Sequence, residues 1–243
     1  MNLIKKRIVF SGSKGRFGKI FQQTNNNYKI FYPSKSELDI TKINTIRSYL
    51  KKIKPKYFIH CAALSRPMKI HYQNIQKSID INIIGTCNIV KICQEYKIKL
   101  IFFSSNYVYP GFKGNYIEES SLLPFNNYGW SKLGGESAVH MYPNSLILRI
   151  CMTEKPFVHK QAFTDLKTNF MFHDQLSKNL LNLIDKKGIL NIGGKIQTVY
   201  HFAKKFNKNI KKISAKKLYG KKYPLNHSMN VRKYIKIKKT IKN

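Results

Sequence analysis

The sequence of 243 residues predicts an α/β fold in which helices cover both faces of a doubly wound parallel sheet. Short apolar runs alternate with longer amphipathic segments through the first 150 residues. The apolar runs are continuous, as in parallel strands that are buried on both faces. A glycine-rich turn follows the first run directly, at the end of a strand where such sheets bind their ligands. The length fits one large domain, or one domain with a small appendage.

Five runs rich in β-branched and aromatic residues are predicted as strands: Arg7–Phe10, Tyr28–Tyr32, Tyr57–Ala62, Leu100–Ser104 and Ser145–Ile150. Three segments with helical periodicity are predicted as helices: Ile43–Lys52, Ile75–Tyr96 and one that begins near Asn127. After residue 150 a weaker pattern predicts a helix, a sixth strand and a further helix: Phe172–Lys186, Ile189–Ile192 and Thr198–Asn207. Thr198 is the predicted N-cap of the last helix. From Lys204 onward lysine dominates without periodicity, which predicts a partly mobile basic tail ending at Asn243.

The formal net charge of +34 is the least ordinary property of the composition. Most of the 45 basic residues are lysines, and arginine occurs only at positions 7, 16, 47, 66, 149 and 232. Isoleucine and asparagine are abundant as well, which indicates biased codon usage. The functional alternative is an anionic partner such as nucleic acid, an acidic membrane surface or a phosphorylated substrate. Because the lysines are dispersed and the arginines are not clustered, no specific nucleic-acid recognition is predicted.

Four cysteines, at positions 61, 87, 93 and 151, form no CxxC pair. They predict free, buried thiols in a reducing compartment. The first residues, Met1–Lys6, lead into a strand without the features of a signal peptide, and no apolar run reaches the roughly 18 residues of a membrane span. We therefore expect a cytoplasmic protein without a membrane span. His, Asp and Glu residues show no metal-ligand spacing, so no metal is predicted.

The glycine-rich turn is the first motif with a chemical meaning, and it comprises Gly12, Ser13, Lys14, Gly15, Arg16, Phe17 and Gly18. Glycines spaced by three at a strand-to-helix turn let the backbone approach a pyrophosphate, to which the helix N-terminus offers N–H donors. An ordinary tight turn is the alternative, but a strand before and a helix after favour a Rossmann-type dinucleotide site. Lys14 and Arg16 in the turn, with no acid in Phe31–Lys35 after the second strand, favour the 2′-phosphate of NADP over NAD.

A second group of candidates follows the fourth strand. Ser105 lies at the carboxyl end of that strand, where ligands bind in open α/β sheets. Tyr128 and Lys132 are one turn apart on one face of the predicted helix. A nearby ammonium favours the phenolate and is predicted to lower the pKa of Tyr128, which suits proton transfer near neutral pH. Taken singly, the same residues also fit a capped turn and an ordinary surface helix.

Together with the glycine turn, these residues resemble the extended short-chain dehydrogenase/reductase superfamily, and within it the RmlD-like dTDP-4-dehydrorhamnose reductases. The resemblance is carried by Ser104–Tyr109, Gly111, Glu118–Glu119, Pro124, Tyr128–Lys132 and Gly135–Glu136. Further matching segments are Leu38–Thr41, His60–Ala63 and Ile81–Thr86. Two later segments look like eroded family motifs: Asn191–Gly194 and Tyr223–Asn230. The match is strong over residues 7–150 and thin beyond them.

The resemblance implies an NADPH-dependent reductase of a 4-keto-6-deoxy nucleotide sugar, as in dTDP-rhamnose biosynthesis. It implies that Ser105 orients the sugar ketone, Tyr128 supplies the proton, and Lys132 holds the nicotinamide ribose and tunes Tyr128. Cofactor contacts beyond the glycine turn, Tyr128 and Lys132 are implied for Asp39 and Ile40 at the adenine and for Ala62, Ala63 and Leu64 at the nicotinamide. Substrate contacts are implied for Ser105, Asn106 and Met152.

The resemblance also implies an organisation of the chain. Residues 1–150 correspond to an NAD(P)-binding Rossmann domain, and residues 151–243 to a reduced substrate-binding region with the basic tail, interleaved with the first as one compact unit. Homodimers are frequent among similar enzymes, so a homodimer is one option.

Departures from the family pattern concern substrate recognition. Asn106 stands where the family has Asp, and Met152 stands in a stretch after Arg149 where the family has an aromatic residue. The stretch from Arg149 to the helix at Asp174 is also markedly shorter. Two other functions stay open: a nucleotide-sugar epimerase that returns the hydride, and a non-catalytic nucleotide-binding scaffold of the same fold. A dehydratase is disfavoured because Asn106–Tyr107 lacks the Asp-Glu pair of those enzymes.

Overall fold

A computed structural model describes residues 6–24 and 27–240 of the chain. Two of the expectations above depend on residues outside these ranges. They are the absence of a signal peptide, which rests on the first five residues, and the end of the basic tail at Asn243.

The strands of the described residues are numbered along the chain: β1 Arg7–Ser11, β2 Lys29–Phe31, β3 Tyr57–His60, β4 Lys99–Ser105, β5 Ser145–Ile150, β6 Met152–Thr153, β7 Gln161–Phe163, β8 Lys167–Thr168, β9 Met171–Phe172, β10 Gly188–Ile192, β11 Gln197–Thr198 and β12 Lys211–Ile213. The helices are α1 Arg16–Phe21, α2 Ile43–Ile53, α3 Ile70–Gln73, α4 Ile75–Ser78, α5 Gly85–Glu95, α6 Asn127–His140, α7 His173–Leu180, α8 Val199–Lys204, α9 Ala215–Tyr219 and α10 Arg232–Thr240.

The central sheet has six parallel strands in the order β10-β5-β4-β3-β1-β2. The predicted doubly wound α/β fold is confirmed, and all six predicted strands lie in this sheet. The strand order reverses at β1, which pairs with β2 on one side and with β3 on the other. In open α/β sheets the crevice at such a switch point, outside the carboxyl ends of the strands, is the ligand site.

Both faces of the sheet bury apolar side chains, which explains why the strands are continuous apolar runs. Along β1, Ile8 and Phe10 belong to one core and Val9 to the other. Phe10 stacks on Phe21 of α1, with ring centroids 4.9 Å apart. On the opposite face, Val9 shares a core with Phe58. Alternating side chains of one strand therefore fill two separate layers.

The segment predicted as one long helix, Ile75–Tyr96, is helical from Ile75 to Glu95 but changes its winding part-way. A π-helical turn at Ile79–Ile84 separates α4 from α5. This widened turn carries the buried Asn82, whose side chain accepts a hydrogen bond from the Leu64 amide at 2.8 Å and donates to the Leu64 carbonyl at 2.9 Å. The periodicity of the apolar residues predicted the helix, but it does not indicate the π-helical turn or the hydrogen bonds by which Asn82 fixes the loop at Leu64.

The region after residue 150 is more ordered than its sequence pattern indicates. Thr198 is the predicted N-cap of α8, and it accepts a hydrogen bond from the His201 amide at 3.1 Å. The predicted mobile tail is wrong for the described residues, because β12, α9 and α10 occur there. Tyr234 and Ile237 of α10 pack against the core on one face of the sheet. Only these apolar residues at helical spacing, among many lysines, indicate that helix.

Among residues 6–24 and 27–240, no helix is both long enough and apolar enough to cross a membrane.

Candidate active site

A cleft of about 1690 Å³ runs along the carboxyl edge of the central sheet. One end is lined by the glycine turn after β1, and the middle by the ends of β3 and β4 and the start of α6. The other end is lined by segments that follow residue 150. Most of the residues that the sequence singled out for chemistry, including Ser105, Tyr128 and Lys132, therefore line one cavity.

The glycine turn lies against the end of β3, and its geometry requires glycine. Gly12 has φ +86°, and a Cβ atom there would lie 2.6 Å from the Ala62 nitrogen. A Cβ atom on Gly18 would lie 2.5 Å from the Gly12 carbonyl oxygen. Helix α1 then begins with Gly15 as N-cap and has no acidic residue in its first turn. The arrangement leaves a cradle next to a helix N-terminus, as anion sites need.

The residues predicted for the cofactor fall into two groups. Those that line the cleft are Gly12, Lys14, Gly15, Arg16, Phe17, Gly18, Ala63, Tyr128 and Lys132. The residues that do not line it are Ser13, Asp39, Ile40, Ala62 and Leu64. In the second group Asp39 accepts hydrogen bonds from the amide and the hydroxyl of Thr41, at 3.0 and 2.8 Å. These bonds hold the turn after β2 in place.

Ser105, Tyr128 and Lys132 converge in the middle of the cleft. Ser105 is the last residue of β4, and its side chain lies close enough to the Tyr128 phenol to act on the pKa of that phenol. Tyr128 and Lys132 lie one turn apart at the start of α6, whose N-cap Asn126 accepts a hydrogen bond from the Gly129 amide at 2.8 Å. The end of β4 and the capped start of α6 thus bring together three groups that span 28 residues of the chain.

The electrostatics of Tyr128 differ from the sequence prediction. Burial raises the pKa of Tyr128 above its ordinary value, whereas a lowered pKa was predicted from the nearby lysine. The Ser105 side chain and the charges of Arg66 and Arg16 act to lower the pKa of Tyr128 but do not outweigh the loss of solvent. Tyr128 is therefore a protonated phenol at neutral pH, ready to donate a proton.

The Lys132 ammonium group lies over the ring of a different aromatic residue, not over that of Tyr128. It lies 4.3 Å from the centroid of the Phe102 ring, a distance at which the ring face attracts a cation. Burial lowers the pKa of Lys132 to about 8, although the charges of Cys61 and Glu136 act to raise it. A buried lysine with a pKa near neutrality can exchange a proton without a large free-energy change.

The predicted substrate contacts Ser105, Asn106 and Met152 all line the cleft. Asn106 is buried, and its amide donates a hydrogen bond to the carbonyl oxygen of His227 at 3.3 Å. Beside it, Tyr107 stands edge-on to Phe125, with ring centroids 5.4 Å apart. Aromatic side chains thus lie beside Asn106 in this part of the cleft, and Asn106 is hydrogen-bonded to the segment around His227.

Three residues of this site were not predicted from the sequence: Arg66, Glu154 and His71. Glu154 pairs across the cleft with Arg16 and Arg66, at 3.2 and 2.9 Å. His71 is buried, and its ring lies 5.2 Å from that of Tyr128. The rarity of arginine in so basic a chain could have singled out Arg66, but no sequence signal marks Glu154 or His71.

The donor chemistry of the described residues gives no metal site. No group of three or more His, Cys, Asp or Glu side chains among them could hold a metal ion. The four cysteines are free thiols, and Cys93 and Cys151 are buried.

Comparison with known proteins adds the family. The family model described as the RmlD substrate binding domain matches residues 6–170, which is more than half of the chain. The chain belongs to this family. The match includes every residue predicted for catalysis, cofactor and substrate, and it confirms the resemblance to RmlD-like members of the extended short-chain dehydrogenase/reductases.

Curated relatives carry two different names. The methionine adenosyltransferase 2 subunit beta of Pongo abelii is 30% identical over 148 residues, which cover 57% of this chain and 44% of that protein. The dTDP-4-dehydrorhamnose reductase of Aggregatibacter actinomycetemcomitans is 26% identical over 191 residues, which cover 76% of this chain and 60% of the relative. The chain therefore spans less than half the length of the first of these relatives and three fifths of the second.

Solved structures share the fold over nearly the whole chain. The dTDP-4-dehydrorhamnose reductase of Bacillus anthracis str. Ames, in complex with NADP, superposes with a TM-score of 0.85 at 24% identity, covering 97% of this chain and 92% of that one. The UDP-rhamnose synthase of Acanthamoeba polyphaga mimivirus superposes with a TM-score of 0.78 at 14% identity, covering 96% and 93%. At these identities the superpositions establish the Rossmann-type fold.

Proposed function

We propose that this protein is an NAD(P)-dependent oxidoreductase that uses NADPH to reduce the ketone of a 4-keto-6-deoxy nucleotide sugar. The observation that carries the proposal is the convergence of Ser105, Tyr128 and Lys132 in the cleft that also holds the glycine turn. Family membership and the similarity to a dTDP-4-dehydrorhamnose reductase support this substrate class.

The glycine turn fits a dinucleotide. Because Gly12 and Gly18 carry no Cβ atom, the turn packs closely against the end of β3 and against itself, the tight strand-to-helix turn at which a pyrophosphate binds in this type of fold. Lys14 and Arg16 line the same end of the cleft and favour an additional phosphate, hence NADP over NAD. A similar fold has been solved in complex with NADP, and a more distant one, the WbmG enzyme of Bordetella bronchiseptica, in complex with NAD.

The cofactor supplies a hydride to the ketone carbon when it is bound. Ser105, at the end of β4, donates a hydrogen bond to the ketone oxygen and orients it. Tyr128 holds its phenolic proton at neutral pH because burial raises its pKa, and it donates this proton to the oxygen as the alcohol forms. Lys132, one turn further along α6, would hold the nicotinamide ribose, and a solvent proton restores the phenol. The sum consumes one NADPH and one proton per alcohol formed.

Substrate recognition falls to residues 151–243 together with the aromatic side chains beside the catalytic group. We propose that residues 1–150 hold the cofactor and that the later region closes over the sugar. Tyr107 and Phe125 offer flat apolar faces for the deoxygenated side of a sugar ring. Met152, where an aromatic residue is usual in the family, adds an apolar contact to the same wall.

The test is NADPH oxidation with dTDP-4-dehydrorhamnose, comparing the wild type with Tyr128→Phe. We expect the loss of the phenol to lower kcat by about 10²- to 10⁴-fold while leaving NADPH binding nearly unchanged, because the hydroxyl acts only in proton transfer. Tyr200→Phe is the matched control, since Tyr200 lies outside the cleft lining and contacts Lys204 and Lys212. Equal turnover in the wild type and Tyr128→Phe would refute the assignment.

A second candidate is a non-catalytic nucleotide-binding subunit, favoured by the 30% identity to the subunit beta of a methionine adenosyltransferase. The two functions share the nucleotide site but differ in their use of the phenol. A protein that binds NADPH, shows no turnover with any ketosugar nucleotide and is unaffected by Tyr128→Phe would support the subunit function.

A further inference from the structure

Glu154 is the centre of an ion-pair cluster at the mouth of the cleft. Its Oε1 lies 3.2 Å from Nε of Arg16, and its Oε2 lies 2.9 Å from Nη1 of Arg66. Arg16 also donates a hydrogen bond to the Ser65 hydroxyl at 3.2 Å. One carboxylate therefore connects the glycine turn, the loop after β3 and the segment after β6.

This ion-pair cluster contributes little to the stability of the fold. The side chains of Arg16 and Arg66 are 42% and 41% exposed, and that of Glu154 is 20% exposed. Ion pairs this open to solvent contribute little to the free energy of folding. A purpose other than structural support is therefore required to explain why two arginines meet here.

The two guanidinium groups are suited to phosphate. Arginine presents a planar set of donors that matches phosphate oxygens, whereas lysine is a point charge. The chain has only six arginines among its 45 basic residues, and two of them contact the same carboxylate. Both line the cleft that contains the glycine turn.

A second observation points to a ligand at this end of the cleft. His173 lines the cleft close enough for its pKa to respond to the charge of Glu154, and it is 6% exposed. Its Nδ1 atom is buried and has no hydrogen-bond partner among the described residues. An unpaired buried ring nitrogen costs free energy that a ligand can recover.

We propose that Arg16 and Arg66 form a binding site for a diphosphate ester, and that the Glu154 carboxylate occupies this site until the ligand displaces it. The carboxylate mimics one phosphoryl group, bridging both guanidinium groups with its two oxygens. Displacement frees the segment after β6 from the glycine turn, so ligand entry and the position of this segment are linked. The choice of ligand rests on the proposed function, because both a dinucleotide cofactor and a nucleotide sugar carry a diphosphate.

The experiment is isothermal titration of the full chain with two probes, NADPH for the cofactor source and thymidine diphosphate for the substrate source. Three variants are compared with the wild type: Glu154→Gln, Arg66→Gln and, as control, Glu119→Gln. Glu119 is an exposed acid that pairs with Lys233 and lies outside the cleft lining, so its replacement reproduces the change in net charge alone. Thermal unfolding confirms that each variant is folded.

We expect Glu154→Gln to tighten binding of one or both probes about tenfold, and Arg66→Gln to weaken the same probe about tenfold, since each change removes one charged partner. Glu119→Gln should alter binding by less than about twofold. An effect on NADPH alone assigns the site to the cofactor, and an effect on thymidine diphosphate alone assigns it to the substrate.

The proposal is overturned if Glu154→Gln binds both probes as the control does, or more weakly than the wild type. It is also overturned if neither probe binds the wild type or Glu154→Gln. Failure of the proposed function would be recognised by a different measurement, namely equal turnover of the wild type and Tyr128→Phe. That result would leave the dissociation constants of the two probes unchanged. If Glu154→Gln proves unfolded, Arg66→Gln decides: unaltered binding of both probes would contradict the site.

Discussion

Arg149 on β5 forms a buried ion pair with Glu136 on α6. Its Nη2 and Nε atoms donate to the same carboxylate oxygen at 2.6 and 2.9 Å, and both side chains are 3% exposed. Nη1 of Arg149 donates to the Tyr109 hydroxyl and to the Glu118 carbonyl oxygen, at 2.7 and 2.8 Å. The Ser104 hydroxyl donates to the second oxygen of Glu136. The pair therefore fixes α6, the helix that carries Tyr128, to the ends of β4 and β5.

Removal of one partner of this pair should be strongly destabilising. Glu136→Leu leaves the Arg149 charge buried without a partner, and we expect a loss of about 3–5 kcal/mol in the free energy of unfolding. The double variant Glu136→Leu/Arg149→Met should recover part of this loss because no charge remains buried. Urea unfolding at pH 7 measures both values.

An exposed ion pair serves as the control for that prediction. Arg47 pairs with Glu95 at 3.1 Å, with both side chains 41% exposed. Arg47→Met should cost less than about 1 kcal/mol because water already screens the charges. A loss of similar size in Glu136→Leu and Arg47→Met would contradict the importance of burial.

The glycine turn allows the effect of close backbone approach to be separated from that of an unusual backbone angle. Gly12 and Gly188 have nearly equal φ, +86° and +81°, but only at Gly12 would an added Cβ atom meet other atoms within 4 Å. Gly188→Ala should cost about 1–2 kcal/mol from the left-handed backbone alone. Gly12→Ala should cost more and should abolish NADPH binding, because the turn must move away from the end of β3. Equal unfolding midpoints and retained NADPH binding would be the contrary result.

Sequence reasoning reached the parts of the molecule that local patterns encode. The order of strands and helices follows from apolar runs and periodicity, and the glycine turn follows from the spacing of its glycines after β1. Ser105, Tyr128 and Lys132 could be grouped because β4 and α6 are consecutive elements, so a parallel sheet brings their ends together. Each of these features either joins residues that are close in the sequence or follows from the topology of the sheet.

What the sequence could not reveal depends on long-range contacts and on burial. The pKa of Tyr128 is raised because its environment excludes water, a property that no neighbour in sequence indicates. Glu154 and Arg16 form an ion pair although they are 138 residues apart in the sequence, and no recognisable pattern around Glu154 indicates this contact. The composition of α10 did not indicate a helix, because a Lys-rich helix and a Lys-rich tail have similar sequences. Only the packing of its few apolar residues against the core distinguishes the two.

The buried ammonium of Lys132 should make stability depend on pH in a specific direction. Its pKa is about 8 in the folded protein, against an ordinary value of 10.5. Between these values the unfolded chain binds more protons than the folded one, so the contribution of Lys132 to stability rises with pH. Lys132→Met removes this pH-dependent contribution. The variant should be more stable than the wild type at pH 7, by roughly 3 kcal/mol if the whole shift is recovered, and this advantage should shrink between about pH 8 and pH 10.5.

Unfolding of the wild type and of Lys132→Met at a series of pH values tests this sign. Lys91→Met is the comparison, because Lys91 is an exposed residue of α5 and its loss changes the net charge equally. If the gain in unfolding free energy of Lys132→Met over the wild type stays constant from about pH 7 to pH 10.5, or grows, burial does not lower the pKa of Lys132.

Helix α10 provides a test of whether the end of the chain belongs to the core. Tyr234 is 3% exposed and packs with the apolar layer on one face of the sheet, while its hydroxyl has no hydrogen-bond partner among the described residues. Tyr234→Phe removes only the unpaired hydroxyl and should leave stability unchanged or improve it. Tyr234→Ala removes the ring and should cost about 3–5 kcal/mol, as other large-to-small changes in cores do.

Ile235 on the same helix is 45% exposed and supplies the control. Ile235→Ala keeps the helix but removes little buried surface, so its effect on urea unfolding should be well below that of Tyr234→Ala. If Tyr234→Ala and Ile235→Ala unfold at the same urea concentration as the wild type, then α10 is not held by the sheet and the end of the chain behaves as the loose basic tail that its composition predicts.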